Sequence, residues 1–257
     1  MQFSKWHALG NAYLVVDRAE YGPLDAALVV RLCNTERGVG ADGVVEFLER
    51  DGAHATILIW NPDGSTAELS GNGVRIAACV IAGASGANVV EIRSGERTLS
   101  CRMLGGGLVE TEMGAVTVND TESIALGSES LDVVPATVGN PHAVVRFDGC
   151  DRDDLLRVGP QLEHHARFPA RTNVQLVEPV GANELRVLVW ERGAGETPSS
   201  GSSATAAAAV AVAHGWCRSP VTVHLPGGDL IVTVSGGRAT LVGPAEHICT
   251  GDVTLTR

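Results

Sequence analysis

Short apolar runs, each bounded by glycine, proline or asparagine, recur along this chain and predict β-strands. They fall at 13–16, 43–48, 55–60, 89–92 and 108–111, and again at 143–147, 174–177, 185–190, 221–225, 230–235 and 239–242. Two segments break the pattern. Residues 72–82 and 202–214 consist largely of small and apolar side chains, each follows a Ser-Gly step, and both predict helices; Gly83 and Gly215 read as their stop signals. The second helix has no polar face from Ser203 to Ala213, and the first carries charge only at Arg75. Such helices have to be surrounded. A helix threaded through a curled sheet meets that need, as does an alanine-rich helix between two layers of an ordinary α/β fold.

The two sets of elements echo each other. Ile57-Leu58-Ile59-Trp60-Asn61 is matched by Val187-Leu188-Val189-Trp190-Glu191, so that Trp60 and Trp190 are 130 residues apart, as are Ser70 and Ser200. Gly10-Asn11 before an apolar run is matched, nearly in register, by Gly139-Asn140. Three matches at about half the chain length predict two related halves joined near residue 115.

Composition narrows the chemistry. The chain has 257 residues and a net charge of −11, with no cluster of arginines, which argues against a nucleic-acid partner. No apolar stretch is long enough for a spanning helix, and the N-terminus shows no secretory pattern, so a cytoplasmic location is expected. Lys5 is the sole lysine, which disfavours a pyridoxal-phosphate mechanism, since the Schiff base needs a lysine. Cys33, Cys79, Cys101, Cys150, Cys217 and Cys249 are scattered and read mostly as buried thiols, with neither a disulfide framework nor a metal site expected. His164-His165 reads as surface rather than as a ligand pair.

The candidate chemistry sits at the two turns, Ser70-Gly71-Asn72-Gly73 and Ser200-Gly201-Ser202. A helix N-terminus presents backbone N–H groups that have no helical acceptor, backed by the positive end of the dipole, and suits a carboxylate. Serine there also serves as an ordinary cap; the echo in both halves favours a site. Asn11, Asn61, Asn140 and Asn173 lie near strand ends, and Arg192 beside Glu191 can take a carboxylate bidentately. His142 and Glu191 are the candidates to tune proton transfer, although a single histidine after a turn is more often structural.

These residues carry a family resemblance. The opening residues through Gly10-Asn11, the turn Arg37-Gly38-Val39-Gly40-Ala41-Asp42-Gly43, and the motif from Asn61 through Asp63, Gly64, Ser65, Ala67, Glu68, Gly71, Asn72 and Gly73 to Arg75 resemble diaminopimelate epimerases. So do Gly139-Asn140-Pro141-His142, Asn173, the run from Glu191 to Thr197, and Leu225 to Leu230. The resemblance implies an α+β fold of two pseudo-symmetric halves, each a β-barrel-like sheet around a central helix, with the active site in the cleft between them. The halves are expected at 1–114, completed by a strand from 247–257, and at 115–246. It implies cofactor-free inversion of an amino-acid α-carbon by two bases on opposite faces of the substrate, most like LL- to meso-diaminopimelate. A homodimer is compatible with it. Substrate contacts carry over to Asn11, Asn61, Gly71, Asn72, Asn140, Asn173, Glu191, Arg192, Gly201 and Ser202.

The family's two bases are cysteines, and the matching positions here are Ser70 and Ser200. A thiol with pKa near ~8.5 becomes a usable thiolate at a helix N-terminus. A serine hydroxyl ionises far above neutrality and needs a neighbouring base, His142 or Glu191. Ala12 and Ser203 also replace the family's usual Asp and Gly. Three accounts fit: a laboratory variant, a natural branch that uses a serine pair, and an amino-acid-binding protein without turnover. The flanking changes favour the natural branch.

Overall fold

In the computed structural model the described residues are 1–67 and 69–254. Glu68 of the resemblance motif and residues 255–257 of the expected closing strand lie outside them. The fold is mixed α+β, in two pseudo-symmetric halves. One compact unit comprises Met1–Thr111 with Gly243–Arg257, the other Glu112–Val242. The sequence puts the passage between them at 115 and the return at 247; the division lies at 112 and 243.

The two units repeat one ladder. In the first, Gln2–Ala8 runs antiparallel to Asn11–Asp17, and Asn11–Asp17 runs parallel to Gly43–Asp51. Gly43–Asp51 is antiparallel to His54–Trp60, which is parallel to Val89–Ser94; antiparallel Arg97–Gly105 follows, and Glu246–Asp252 lines the other side of Gln2–Ala8. In the second, Glu129–Thr137, Pro141–Arg146, Asn173–Gly181, Glu184–Glu191, Val221–Leu225 and Gly228–Ser235 follow each other in the same alternation of senses.

Each parallel pair demands a crossover, and a helix supplies it. After the single turn α1 (Arg18–Tyr21), α2 (Ala26–Cys33) joins the first parallel pair and α3 (Gly71–Ser85) the second; in the other unit α4 (Arg152–Glu163) and α5 (Gly201–Ala213) do the same. The sequence reading had no helix at α2 or α4. α2 starts on Asp25, whose carboxylate accepts from the Leu28 N–H, and α4 starts on a capping box of Asp151 and Asp154.

The crossovers explain why the parallel strands read as continuous apolar runs: both of their faces are covered. Leu14, Val16 and Val44 meet Val29 and Leu32 of α2, while Tyr13, Val15, Val45, Ile57 and Ile59 face Val74, Ile76 and Ala77 of α3. In the second unit Val145, Val174 and Leu176 pack on Leu155, Val158 and Leu162 of α4. α5 is buried on every side from Gly201 to Ala211, as a helix without a polar face requires. α3 runs past Gly83 and ends at Gly86, which holds the left-handed conformation at φ 73°. Gly83 is exposed with open space around it, so nothing there stops the helix.

Candidate functional site

A tryptophan stands at or next to the end of one strand in each unit, Trp60 in His54–Trp60 and Trp190 in Glu184–Glu191, and a buried glutamate fixes it. The Trp60 indole N–H donates to Glu46 Oε2 at 2.8 Å, and the Trp190 indole N–H donates to Glu163 Oε2 at 2.7 Å. Glu46 comes from the neighbouring strand and Glu163 from α4. Glu163 also accepts from the Gly193 N–H at 2.9 Å, which fastens the turn that carries Glu191 and Arg192. A side chain at Gly159 would strike the Trp190 ring at 2.7 Å, so glycine lets α4 lie against the indole. Sequence reasoning missed both glutamates; Glu46 carried a signal as an acidic residue inside the apolar run 43–48, whereas Glu163, beside Gln161 and His164-His165, carried none.

In the first unit Ser70 caps α3. Its Oγ accepts from the Gly73 N–H at 3.1 Å and lies 3.0 Å from the Tyr13 hydroxyl. Gly73 is closely approached: a Cβ there would meet Ile59 Cδ1 at 2.7 Å, so the Ile59 side chain would have to shift. Behind the first turn sits Arg75, fully buried at 0% exposure. Its guanidinium donates to Gly71 O, Asn72 Oδ1 and Pro244 O, and burial pulls its pKa down to about 10, which leaves it a cation at neutral pH. Asn11 is 7% exposed, and its Oδ1 has no partner among the described residues. Asn61 is half-buried, with its amide donating to Ser65 Oγ at 2.9 Å.

In the second unit Ser200 opens α5 but takes none of its N–H groups; its hydroxyl instead donates to Glu191 Oε2 at 3.0 Å. Burial pushes the Glu191 carboxyl upward, and the Ser200 hydrogen bond opposes this. Asn173 bridges two turns: its amide donates to Pro141 O at 2.8 Å and its Oδ1 accepts from the Arg192 N–H at 3.0 Å. The Arg192 guanidinium donates to Ala170 O at 3.3 Å.

His142 is 1% exposed and held at both ring nitrogens. Nε2 faces Asn140 Oδ1 at 2.9 Å and Nδ1 faces Gln175 Nε2 at 3.1 Å, so Nδ1 accepts and Nε2 donates. Burial lowers its pKa to about 3, and the ring is neutral across the physiological range. Gln175 Nε2 also donates to Ser203 Oγ at 3.0 Å, while Asn140 Nδ2 reaches Ser202 Oγ at 3.5 Å. Ser203, an odd residue at the sequence level, is therefore part of a buried polar chain. The structure thus brings Glu191 to Ser200, and ties His142 to Asn140 rather than to either turn serine.

Four of the six cysteines are buried, Cys79 is half-buried and Cys249 exposed. Burial raises the thiols of Cys33 and Cys101 to about 11. His164 lies at the surface with Nδ1 on Pro160 O, and His165 is partly exposed. Among the described residues, no helix is long and apolar enough to cross a membrane.

The family model described as diaminopimelate epimerase matches residues 3–119 and 134–248. The chain is 34% identical over 277 residues to the diaminopimelate epimerase of Pelotomaculum thermopropionicum, covering 98% of each. It is 35% identical over 273 residues to that of Magnetococcus marinus, covering 98% of this chain and 96% of that one. Among solved structures, a predicted epimerase from Pseudomonas aeruginosa superposes with a TM-score of 0.76 at 17% identity, covering 99% of both chains. A hydroxyproline epimerase from Agrobacterium vitis, with trans-4-hydroxy-L-proline bound, gives 0.74 at 18% identity over 98% of this chain and 90% of that one.

Proposed function

Because the chain belongs to the diaminopimelate epimerase family, a family of isomerases, we propose that it inverts an amino-acid α-carbon with Ser70 and Ser200 at the two base positions and LL-diaminopimelate as substrate. The observation that carries this reading is the hydrogen bond from the Ser200 hydroxyl to a buried carboxylate whose pKa is raised. A lone serine is too weak an acid to work as an alkoxide, but a serine that passes its proton on as it takes another needs no free alkoxide. As Ser200 Oγ takes the α-proton, its own proton moves to Glu191 Oε2. Raising the carboxyl toward the working pH makes it a better acceptor.

The helix starts supply the second requirement. Negative charge moves onto the substrate carboxylate as the α-proton leaves, and first-turn N–H groups and the dipole favour it there. At α5 Ser200 Oγ leaves the N–H groups of Gly201 and Ser202 to such a ligand. Asn11, Asn61, Gly71, Asn72, Asn140, Asn173, Arg192, Gly201 and Ser202 are the proposed substrate contacts. Arg192 suits a carboxylate, and Asn11 Oδ1 suits an ammonium. His142, neutral and held at both nitrogens, orients Asn140 toward Ser202 rather than carrying a proton. The chemistry proposed for these residues asks for no cofactor.

Incubation with LL-diaminopimelate in heavy water tests the reading. Deuterium appearing at the α-carbon is the expected result. Saturable binding without exchange would make the chain an amino-acid-binding protein and overturn the proposal.

A further inference from the structure

Ser70 must also exchange its proton with some group if it works as a base position, and the structure offers Tyr13. The two repeats place this residue. Gly10-Asn11 matches Gly139-Asn140 at an offset of 129, which makes Tyr13 the repeat equivalent of His142; each heads the parallel ladder of its unit, Tyr13 against Gly43 and His142 against Asn173. Likewise Asn61 matches Glu191 at an offset of 130. In the second unit Glu191 serves the serine while His142 turns into a buried network. In the first unit the roles are exchanged: the Asn61 amide goes to Ser65, and Tyr13 meets Ser70.

We infer that the Tyr13 phenol is the proton relay of Ser70, a positioning residue that does for the first base position what Glu191 does for the second; this rests on the proposed two-base reaction. One lone pair of Ser70 Oγ is occupied by the Gly73 N–H. With the phenol donating into the other, the Ser70 proton points away from both. The proton inventory balances. The Ser70 O–H bond breaks as the new C–H bond forms at the α-carbon, the Tyr13 O–H bond breaks as the Ser70 O–H bond re-forms, and the carbanion's negative charge ends on the phenolate. The reverse reaction returns the same protons along the same atoms.

A phenolate is a far weaker base than an alkoxide, which makes this the lower-energy place to leave the charge. The buried Arg75 guanidinium interacts electrostatically with Tyr13, so the charge meets a cation within the core. Among the described residues Arg75 hydrogen-bonds to neutral acceptors, which leaves its charge available. Tyr13 is otherwise a core residue, 7% exposed and packed with the residues around α3. Packing alone would ask nothing of its hydroxyl beyond a partner.

The variant Y13F keeps the ring and removes the relay. With LL-diaminopimelate the expected result is a fall in kcat of about 100-fold or more at unchanged KM, the range of one general acid–base group. S70C in the Y13F background is expected to recover turnover, because a thiol ionises without help. Wild-type kcat in Y13F, or a rise in KM alone, would overturn the inference. A second measurement needs no substrate: alkylation of the thiol at position 70 by iodoacetamide, resolved by peptide mass, across pH in S70C and in S70C/Y13F. Loss of the phenol should move the midpoint up by about one pH unit, the worth of one hydrogen bond to a charged group. Coincident curves would overturn the relay even if turnover is normal. Should the curves separate while the wild type washes in no deuterium, the phenol's hydrogen bond to position 70 stands, and the proposed reaction falls together with the relay that serves it.

Discussion

The starts of α3 and α5 are built on the same Ser-Gly step, yet their serines have different tasks. Ser70 is spent partly on structure, since its Oγ caps the Gly73 N–H, and its second neighbour is a phenol. Ser200 caps nothing and gives its proton to a buried carboxylate. Behind the first serine stands a buried cation, Arg75; at the matching place on α5 stands Thr205, whose hydroxyl donates to Gly201 O as Arg75 donates to Gly71 O. The repeat thus keeps the backbone geometry of the two turns while the side chains around them diverge. A carboxylate faces one serine and a phenol the other, which suits a reaction that takes a proton at one position and delivers one at the other.

The comparison breaks most sharply at Glu191. Glu191→Gln keeps the size and a hydrogen bond to Ser200 but cannot accept the proton, so kcat with LL-diaminopimelate should fall by about 10²–10⁴-fold. A loss below tenfold would separate Ser200 from its supposed base. Stability gives a second contrast, because the helices differ in how they are enclosed. Ala208 of α5 is fully buried and Ala84 of α3 is exposed. Ala208→Leu should destabilise by about 1–3 kcal/mol through overpacking, and Ala84→Leu by less than about 0.5 kcal/mol, read by urea unfolding.

Smaller still is the difference between the serines as caps. Ser70→Ala removes a cap hydrogen bond and should cost about 1 kcal/mol, while Ser200→Ala, measured in the Glu191→Ala background so that no buried carboxylate loses its donor, removes no cap and should cost clearly less. Equal losses in urea would mean that the two turns are structurally alike after all. Finally, His142 should leave a mark on acid stability. Its folded pKa of about 3 lies below the ordinary histidine value of about 6.5, so the unfolded chain takes up a proton first. Its contribution is present above pH ~6.5 and is lost as pH falls toward 3, with a slope of at most about 1.4 kcal/mol per pH unit. Stability curves for wild type and His142→Gln should converge in slope above that window and differ by one proton within it.

Much of this could be read before any coordinates. The short apolar runs place the strands, and the Ser203–Ala213 stretch, without a polar face, demands a surrounded helix, which α5 is. The repeat locates both serine turns. What stayed hidden has physical reasons. α4 carries a legible stripe in Leu155, Val158 and Leu162 and a capping box, but Gly159 and Pro160 read as breakers, and the need for Gly159 appears only when Trp190 lies against it. Gly83 read as a stop because glycine often is one; the helix passes through since no geometry there requires a left-handed residue, whereas Gly86 supplies one. Tyr13 looked like any strand residue facing a core. His142 looked like a base because histidine often is one, and the burial that keeps it neutral is a property of its neighbours rather than of its own segment.

The most direct measurement follows the fate of one proton during a single inversion. In heavy water, with LL-diaminopimelate and the reaction stopped early, proton magnetic resonance reads the inverted and the unreacted α-carbons separately. The account predicts that the newly formed epimer carries deuterium at the inverted carbon while the remaining substrate keeps its original hydrogen. An epimer that retains the original hydrogen, or substrate that exchanges without inverting, would contradict it.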